Sequence, residues 1–187
     1  SKLSKKKGYE YLYSRSCARK SLSELFNLDE LEIPLDSQLQ SPPILPNGFG
    51  FLSISHCNEL ILIGWSDYPI GVDIENSKRN ISSVKLIKRY FTDLKYLLSK
   101  DNNSDQIREE ILINWIVKEA SFKCLKENNF SDLISWKYDK KSNLAYKKDK
   151  KISLNIKIFK YKIWTYCLAI NKNDQDENDV SYEQISY

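Results

Sequence analysis

Two stretches of the chain carry residue types that can do chemistry. In YPIGVDIEN, residues 68–76, Ile70, Val72 and Ile74 alternate with Gly71, Asp73 and Glu75. Side chains on a strand alternate between faces, so the pattern predicts a strand with both carboxylates on one side. Two acids on one face repel each other unless water or a cation lies between them. Read alone, the stretch fits the solvated outer face of an antiparallel sheet. In WIVKEASFK, residues 115–123, helical spacing puts Trp115, Glu119 and Lys123 on one face, with Lys118 beside it. Read alone, Glu119 and Lys123 make a surface ion pair. Taken together, Asp73, Glu75 and Glu119 are three hard oxygen donors. That set suits Mg²⁺, which takes few carboxylates and keeps sites for water and substrate phosphate. The chemistry requires the two stretches to meet in space.

His56 is the only histidine and follows "SIS" at the end of an apolar run. Its place at a strand end, between Ser55 and Cys57, leaves room for a phosphate contact. The plainer account is an exposed or structural side chain. Cys17, Cys57, Cys124 and Cys167 are scattered without a CxxC pair, which predicts free thiols in a reducing cytoplasm. A zinc site on His56 and Cys57 lacks nearby ligands to complete it.

The elements that must position these residues follow from periodicity. Residues 9–27 read as a helix with Leu22, Leu25 and Phe26 as its apolar end. Residues 34–48 hold Pro34, Pro42, Pro43 and Pro46 and read as an irregular connection. The runs 49–55 and 59–65 flank "HCN" and predict a hairpin, followed by the strand 70–75. Residues 82–99 carry Val84, Ile87, Phe91, Leu94 and Leu98 at helical spacing behind a serine cap. Residues 105–127 predict a long helix, and 134–170 predict three strands, beginning "ISWKYD", "KISLNIKIFKYK" and "IWTYCLAI". Helix, strands, helices, strands is an α+β order.

Composition sets the outer bounds. A chain of 187 residues, 41% hydrophobic and 29% charged, is a soluble globular composition for one domain or two small subdomains. No run reaches the length of a membrane span, and the N-terminus lacks the apolar segment of a signal peptide. The segment from Asn171 to Tyr187 holds five acids against Lys172, so a formal charge of +4 for the chain leaves about +8 on the rest. That favours an acidic or phosphate-bearing partner.

The ordered set SISHC, PIGVDIE and WIVKEASFK resembles the signatures of the 4′-phosphopantetheinyl transferases, specifically the larger surfactin-synthetase-activating (Sfp-type) class. SRSCARKSL upstream looks like that family's arginine-bearing first helix. The resemblance implies two pseudo-symmetric α/β subdomains with the active site between them. Residues 1–68 would form the first, 69–170 the second and 171–187 a polar tail. It implies Mg²⁺-dependent transfer of phosphopantetheine from coenzyme A to a serine of an acyl or peptidyl carrier protein, releasing adenosine 3′,5′-bisphosphate. Mn²⁺ is an alternative metal. The carriers of fatty acid biosynthesis, polyketide and nonribosomal peptide assembly share that serine.

The resemblance also implies roles. Asp73, Glu75 and Glu119 match the metal-binding acids. Glu119 is the expected general base, and Lys123 acts on the leaving phosphate. His56, Ser55, Arg15, Arg19, Lys118 and Lys123 are the expected coenzyme A contacts. Carriers of this family are acidic around the serine, so Lys85, Lys88 and Arg89 form an expected docking rim, with Tyr90 and Phe91 offering apolar contact. Ser41 stands where the family often has a lysine that helps bind coenzyme A, and Lys95 where it usually has a glutamate. The N-terminal segment is short for the class. A cytoplasmic monomer is expected, binding neither nucleic acid nor membrane.

Two other classes fit the same residues. A Mg²⁺-dependent phosphodiesterase or nuclease also uses three acids and a lysine, and a basic surface suits DNA. A non-catalytic binding module would use segment 137–162, whose ten lysines face only Asp139 and Asp149. Its plainer reading is a solvated strand face.

Overall fold

The computed structural model describes residues 5–36, 42–58, 60–79, 83–91, 105–127, 129–147 and 151–172. Ser41 and Lys95 lie outside them. Helix α1 (Lys5–Phe26) leads into a hairpin of β1 (Phe51–Cys57) and β2 (Leu60–Ser66). Then follow β3 (Ile70–Asn76), α2 (Ser83–Tyr90), α3 (Asp105–Cys124), α4 (Phe130–Ser135), β4 (Lys137–Asp139), β5 (Leu144–Lys147), β6 (Ile152–Tyr161) and β7 (Trp164–Ile170). The order is α+β. The first half contributes two strands and the second a five-stranded antiparallel sheet, β3-β7-β6-β5-β4.

Helix α1 buries Ala18 and Leu22 against Ile33, Leu35, Leu45 and Leu52. Phe26 follows Leu22 by one turn and meets Phe49 and Trp65 edge-on, at 5.2 and 5.6 Å. Leu25, expected in that apolar end, is turned outward. The helix stops at Asn27, whose positive φ of 53° lets the Leu28 amide return to the Ser23 carbonyl.

The hairpin reversal comes later than expected. His56 and Cys57 still pair with Ile61 and Leu60, and Asn58, at φ 54°, begins the turn. The C-terminal region differs more. Ile134 and Ser135, expected to begin a strand, instead end α4, and 144–147 form an extra strand. Asp139 closes the β4–β5 turn by accepting the Lys141 amide and the Ser142 hydroxyl, at 3.0 and 2.7 Å. Strand β5 escapes the apolar pattern because it carries Lys147 into the core. The Lys147 ammonium lies 2.5 Å from Glu127 Oε1 and 3.1 Å from Asp132 Oδ1, over the Trp136 ring.

Strand β3 does most to position the site. One edge pairs with β7. Towards β1, the Val72 amide donates to the Ser53 hydroxyl at 3.0 Å. A β-carbon on Gly64 of β2 would strike the Val72 side chain, so the hairpin lies close on the Ile70–Val72 face. On the opposite face, a β-carbon on Gly71 would strike the backbone of Ala120 and Cys124. Glycine there lets α3 sit directly on the strand, with Ile116, Val117, Ala120 and Cys124 packed over Cys167, Ala169, Leu154 and Ile156. All four cysteines are free thiols. Among the described residues no helix is long and apolar enough to cross a membrane.

Candidate active site

The face of β3 that meets α3 is the face that carries Asp73 and Glu75. Both are buried, at 6% and 7% exposure, so this is not a solvated outer face. Helix α3 brings Glu119 and Lys123 onto it. Asp73 Oδ1 accepts the Lys123 ammonium at 2.8 Å and the Ser55 hydroxyl at 2.7 Å. Lys123 also donates to Ser55 Oγ and the Val72 carbonyl, each at 3.1 Å. Strand β1, strand β3 and helix α3 therefore converge on one carboxylate oxygen.

Glu75 is held from both sides. Arg79 Nη1 contacts Oε1, and Cys57 Sγ donates to Oε2 at 3.4 Å. Burial pushes the Glu75 carboxyl above its ordinary range; Arg79 opposes that rise and Asp73 adds to it. Glu119 is half-buried, and among the described residues no hydrogen bond or ion pair holds its carboxylate. Burial also raises its pKa, reinforced by Asp73 and, less, by Glu75, while Lys123 lowers it. Glu75 and Glu119 thus each feel the charge of another acid.

That mutual repulsion and the all-oxygen donor set fit a hard divalent cation. Among the described residues no three His, Cys, Asp or Glu side chains already converge to hold one. Lys123 and Arg79 stand against two of the acids, Asp73 and Glu75.

The other expected site residues are placed as follows. His56 is exposed at the end of β1, with Nε2 3.8 Å from Glu10 Oε2 of α1. Ser55 points inward to Asp73 and Lys123. Arg15 is half-buried on α1 with its guanidinium over the Tyr11 ring, 4.6 Å from the centroid. Burial lowers its pKa, partly offset by Tyr11. Arg19 donates to the carbonyls of Ile33, Leu35 and Glu30, so it fastens the loop after α1. Lys118 is buried, and its ammonium donates to the carbonyls of Ile134 and Trp136. In both cases the cation satisfies carbonyls near the end of a helix or loop.

In α2, Lys88 and Arg89 are exposed, but Phe91 is fully buried and Tyr90 packs edge-on against Trp115. The apolar pair expected to meet a carrier therefore faces inward. Sequence reasoning missed Arg79 and the contact of Cys57 with Glu75. Arg79 follows Glu75 by four residues, but that spacing signals a pair only on a helix.

The family model of the 4′-phosphopantetheinyl transferase superfamily matches residues 69–171, more than half of the chain. The chain belongs to this superfamily. The matched span contains Asp73, Glu75, Arg79, Glu119 and Lys123, whereas Ser55, His56, Arg15 and Arg19 precede it. Among curated proteins, the chain is 30% identical over 108 residues to 4′-phosphopantetheinyl transferase Sfp of Bacillus subtilis (strain 168), covering 56% of this chain and 46% of that one. It is 23% identical over 153 residues to 4′-phosphopantetheinyl transferase gsp of Aneurinibacillus migulanus, covering 81% of this chain and 63% of that one. The chain therefore spans about half to under two thirds of these superfamily members.

Proposed function

We propose that the chain transfers 4′-phosphopantetheine from coenzyme A to a serine hydroxyl of an acyl or peptidyl carrier protein. One observation carries this reading. The buried acids Asp73 and Glu75 of β3 face the half-buried Glu119 and Lys123 of α3, within the span matched by the superfamily.

Residues 1–68 and 69–170 form the two walls of the site, joined between β2 and β3. Asp73, Glu75 and Glu119 would hold Mg²⁺, or Mn²⁺ in its place, and the bound ion supplies the positive charge that neutralises the diphosphate. The carrier serine oxygen attacks the phosphorus that bears pantetheine. The P–O bond to the nucleotide breaks, and adenosine 3′,5′-bisphosphate leaves. Glu119 takes the serine proton as general base. Lys123 stabilises charge on the leaving phosphate. His56 and Arg15 contact the donor's phosphates. Ser55 acts through Asp73 and Lys123, holding both in place.

The test is incubation with coenzyme A, Mg²⁺ and an apo carrier protein, followed by mass spectrometry. The expected result is a gain of one phosphopantetheine on the carrier. An unmodified carrier, under conditions where a known transferase modifies it, would overturn the reading.

A further inference from the structure

We propose that Arg79 is an exchangeable counter-ion of the acid centre. With no divalent ion present it neutralises Glu75; once a divalent ion takes Glu75, the freed guanidinium binds phosphate of the donor. The phosphate half of this inference rests on the transferase reading; the counter-ion half does not.

Both oxygens of Glu75 are engaged by the chain itself, one by Arg79 and the other by Cys57. Each oxygen still has a lone pair to offer a metal ion, so what opposes the ion at Glu75 is charge, and the neutral thiol opposes it little. Arg79 competes most strongly, because it carries charge. It is also the partner able to move: its side chain is 57% exposed, against 9% for Glu75. Lys123 is built differently. It is bound to Asp73 Oδ1, Ser55 Oγ and the Val72 carbonyl at once, from two strands, and is only 29% exposed. Of these two cations, Lys123 is anchored, whereas Arg79 projects from a turn in which its amide donates to the Asn76 carbonyl at 2.9 Å.

Charge gives the exchange its direction. Three ionised acids against Lys123 and Arg79 leave one negative charge in excess. A divalent ion converts that to one positive charge, and Arg79, no longer needed on Glu75, is left facing outward with a guanidinium suited to two-point binding of phosphate. A site that repels anions when empty thus attracts them once loaded.

Wild type, Arg79→Ala and Arg79→Lys are titrated with Mn²⁺ alone, read by electron paramagnetic resonance. They are then titrated with coenzyme A at saturating Mg²⁺, read by calorimetry. Loss of a part-exposed competing ion pair should tighten Mn²⁺ binding about two- to fivefold in Arg79→Ala. Coenzyme A binding should weaken about tenfold in the same variant, with Arg79→Lys between it and wild type for both ligands. A purely structural arginine would weaken both.

Mn²⁺ binding that is unchanged or weaker in Arg79→Ala overturns the counter-ion half. So does a wild type that binds no Mn²⁺. Unchanged coenzyme A affinity overturns the phosphate half. Arg79→Gln, which keeps most of the stem and a donor but not the charge, gives the same readings should alanine disturb the turn. Carrier modification by wild type is run alongside. Its absence counts against the transferase reading, while the Mn²⁺ titration alone decides the exchange.

Discussion

Lys123 Nζ lies 2.8 Å from Asp73 Oδ1, although fifty positions separate them in the chain. The contact ties the C-terminal turn of α3 to the middle of β3. The same oxygen accepts the Ser55 hydroxyl, so β1 enters the same junction.

Asp73→Ala should leave the protein folded and reduce transfer by at least about 100- to 1000-fold. The substitution removes one of three mutually repelling acids, and Lys123 keeps the Ser55 hydroxyl and the Val72 carbonyl as acceptors. Carrier modification at limiting Mg²⁺ and a thermal melt check the two halves. Unchanged activity would remove Asp73 from the metal site.

Glu119→Gln and Lys118→Ala should fail in different ways. Glutamine keeps the shape of Glu119 but neither takes a proton nor binds metal well, so transfer is lost in a folded protein. Lys118→Ala frees two carbonyls, those of Ile134 and Trp136, and should lower stability by about 2 kcal/mol while sparing chemistry in the folded fraction. Single-turnover rates beside urea titrations separate the two.

The Glu119 carboxyl is raised by burial and by Asp73, so the folded state holds its proton more tightly than the unfolded state does. The ionised form therefore costs stability at pH values above its raised pKa. That cost is relieved as pH falls through the raised value toward the ordinary 4.5. Without metal, Glu119→Gln should melt above wild type at neutral pH, and the gap should close on acidification. A gap that widened instead would contradict the direction of the shift.

Gly71→Ala should damage fold and site together. Its β-carbon meets backbone atoms of Ala120 and Cys124, which cannot rotate away as a side chain would. Helix α3 must lift off β3, at a cost of about 3 kcal/mol or more, and Lys123 moves off Asp73. Calorimetric melting and Mn²⁺ titration should both change; normal values for both would show that the helix tolerates the shift.

Lys147→Met keeps the length of the buried stem but leaves Glu127 and Asp132 without their ammonium. Breaking a buried charge cluster on one side costs about 3–5 kcal/mol, which urea unfolding would measure. A loss below about 1 kcal/mol would mean that water reaches the two carboxylates.

Lys88 and Arg89 are exposed on α2, and under the proposed transfer reaction their charge would steer an acidic carrier. Reversing both to glutamate should raise KM for carrier, leave that for coenzyme A unchanged and flatten the salt dependence of kcat/KM. Coincident salt curves for variant and wild type would exclude this helix from docking.

Much of the fold could be read from the chain because it is written in local periodicity. The alternation of Ile70, Val72 and Ile74 marked β3, and the spacing from Ile107 to Leu125 marked the long helix. Strand β5 was hidden because Lys147 breaks the apolar pattern, and its counter-charges come from Glu127 and Asp132 on other elements. The same limit governs the site. Residue types and spacing put Asp73 with Glu75, and Glu119 with Lys123, since each pair lies within one strand or one helical face. Whether those faces met water or each other depended on Gly71, whose missing β-carbon lets α3 reach the strand. The partners of Lys118, Arg19, Arg79 and Cys57 were likewise settled only in three dimensions. A long side chain takes whichever carbonyl or carboxylate packing brings within reach, and that is set by the whole chain rather than by neighbours in sequence.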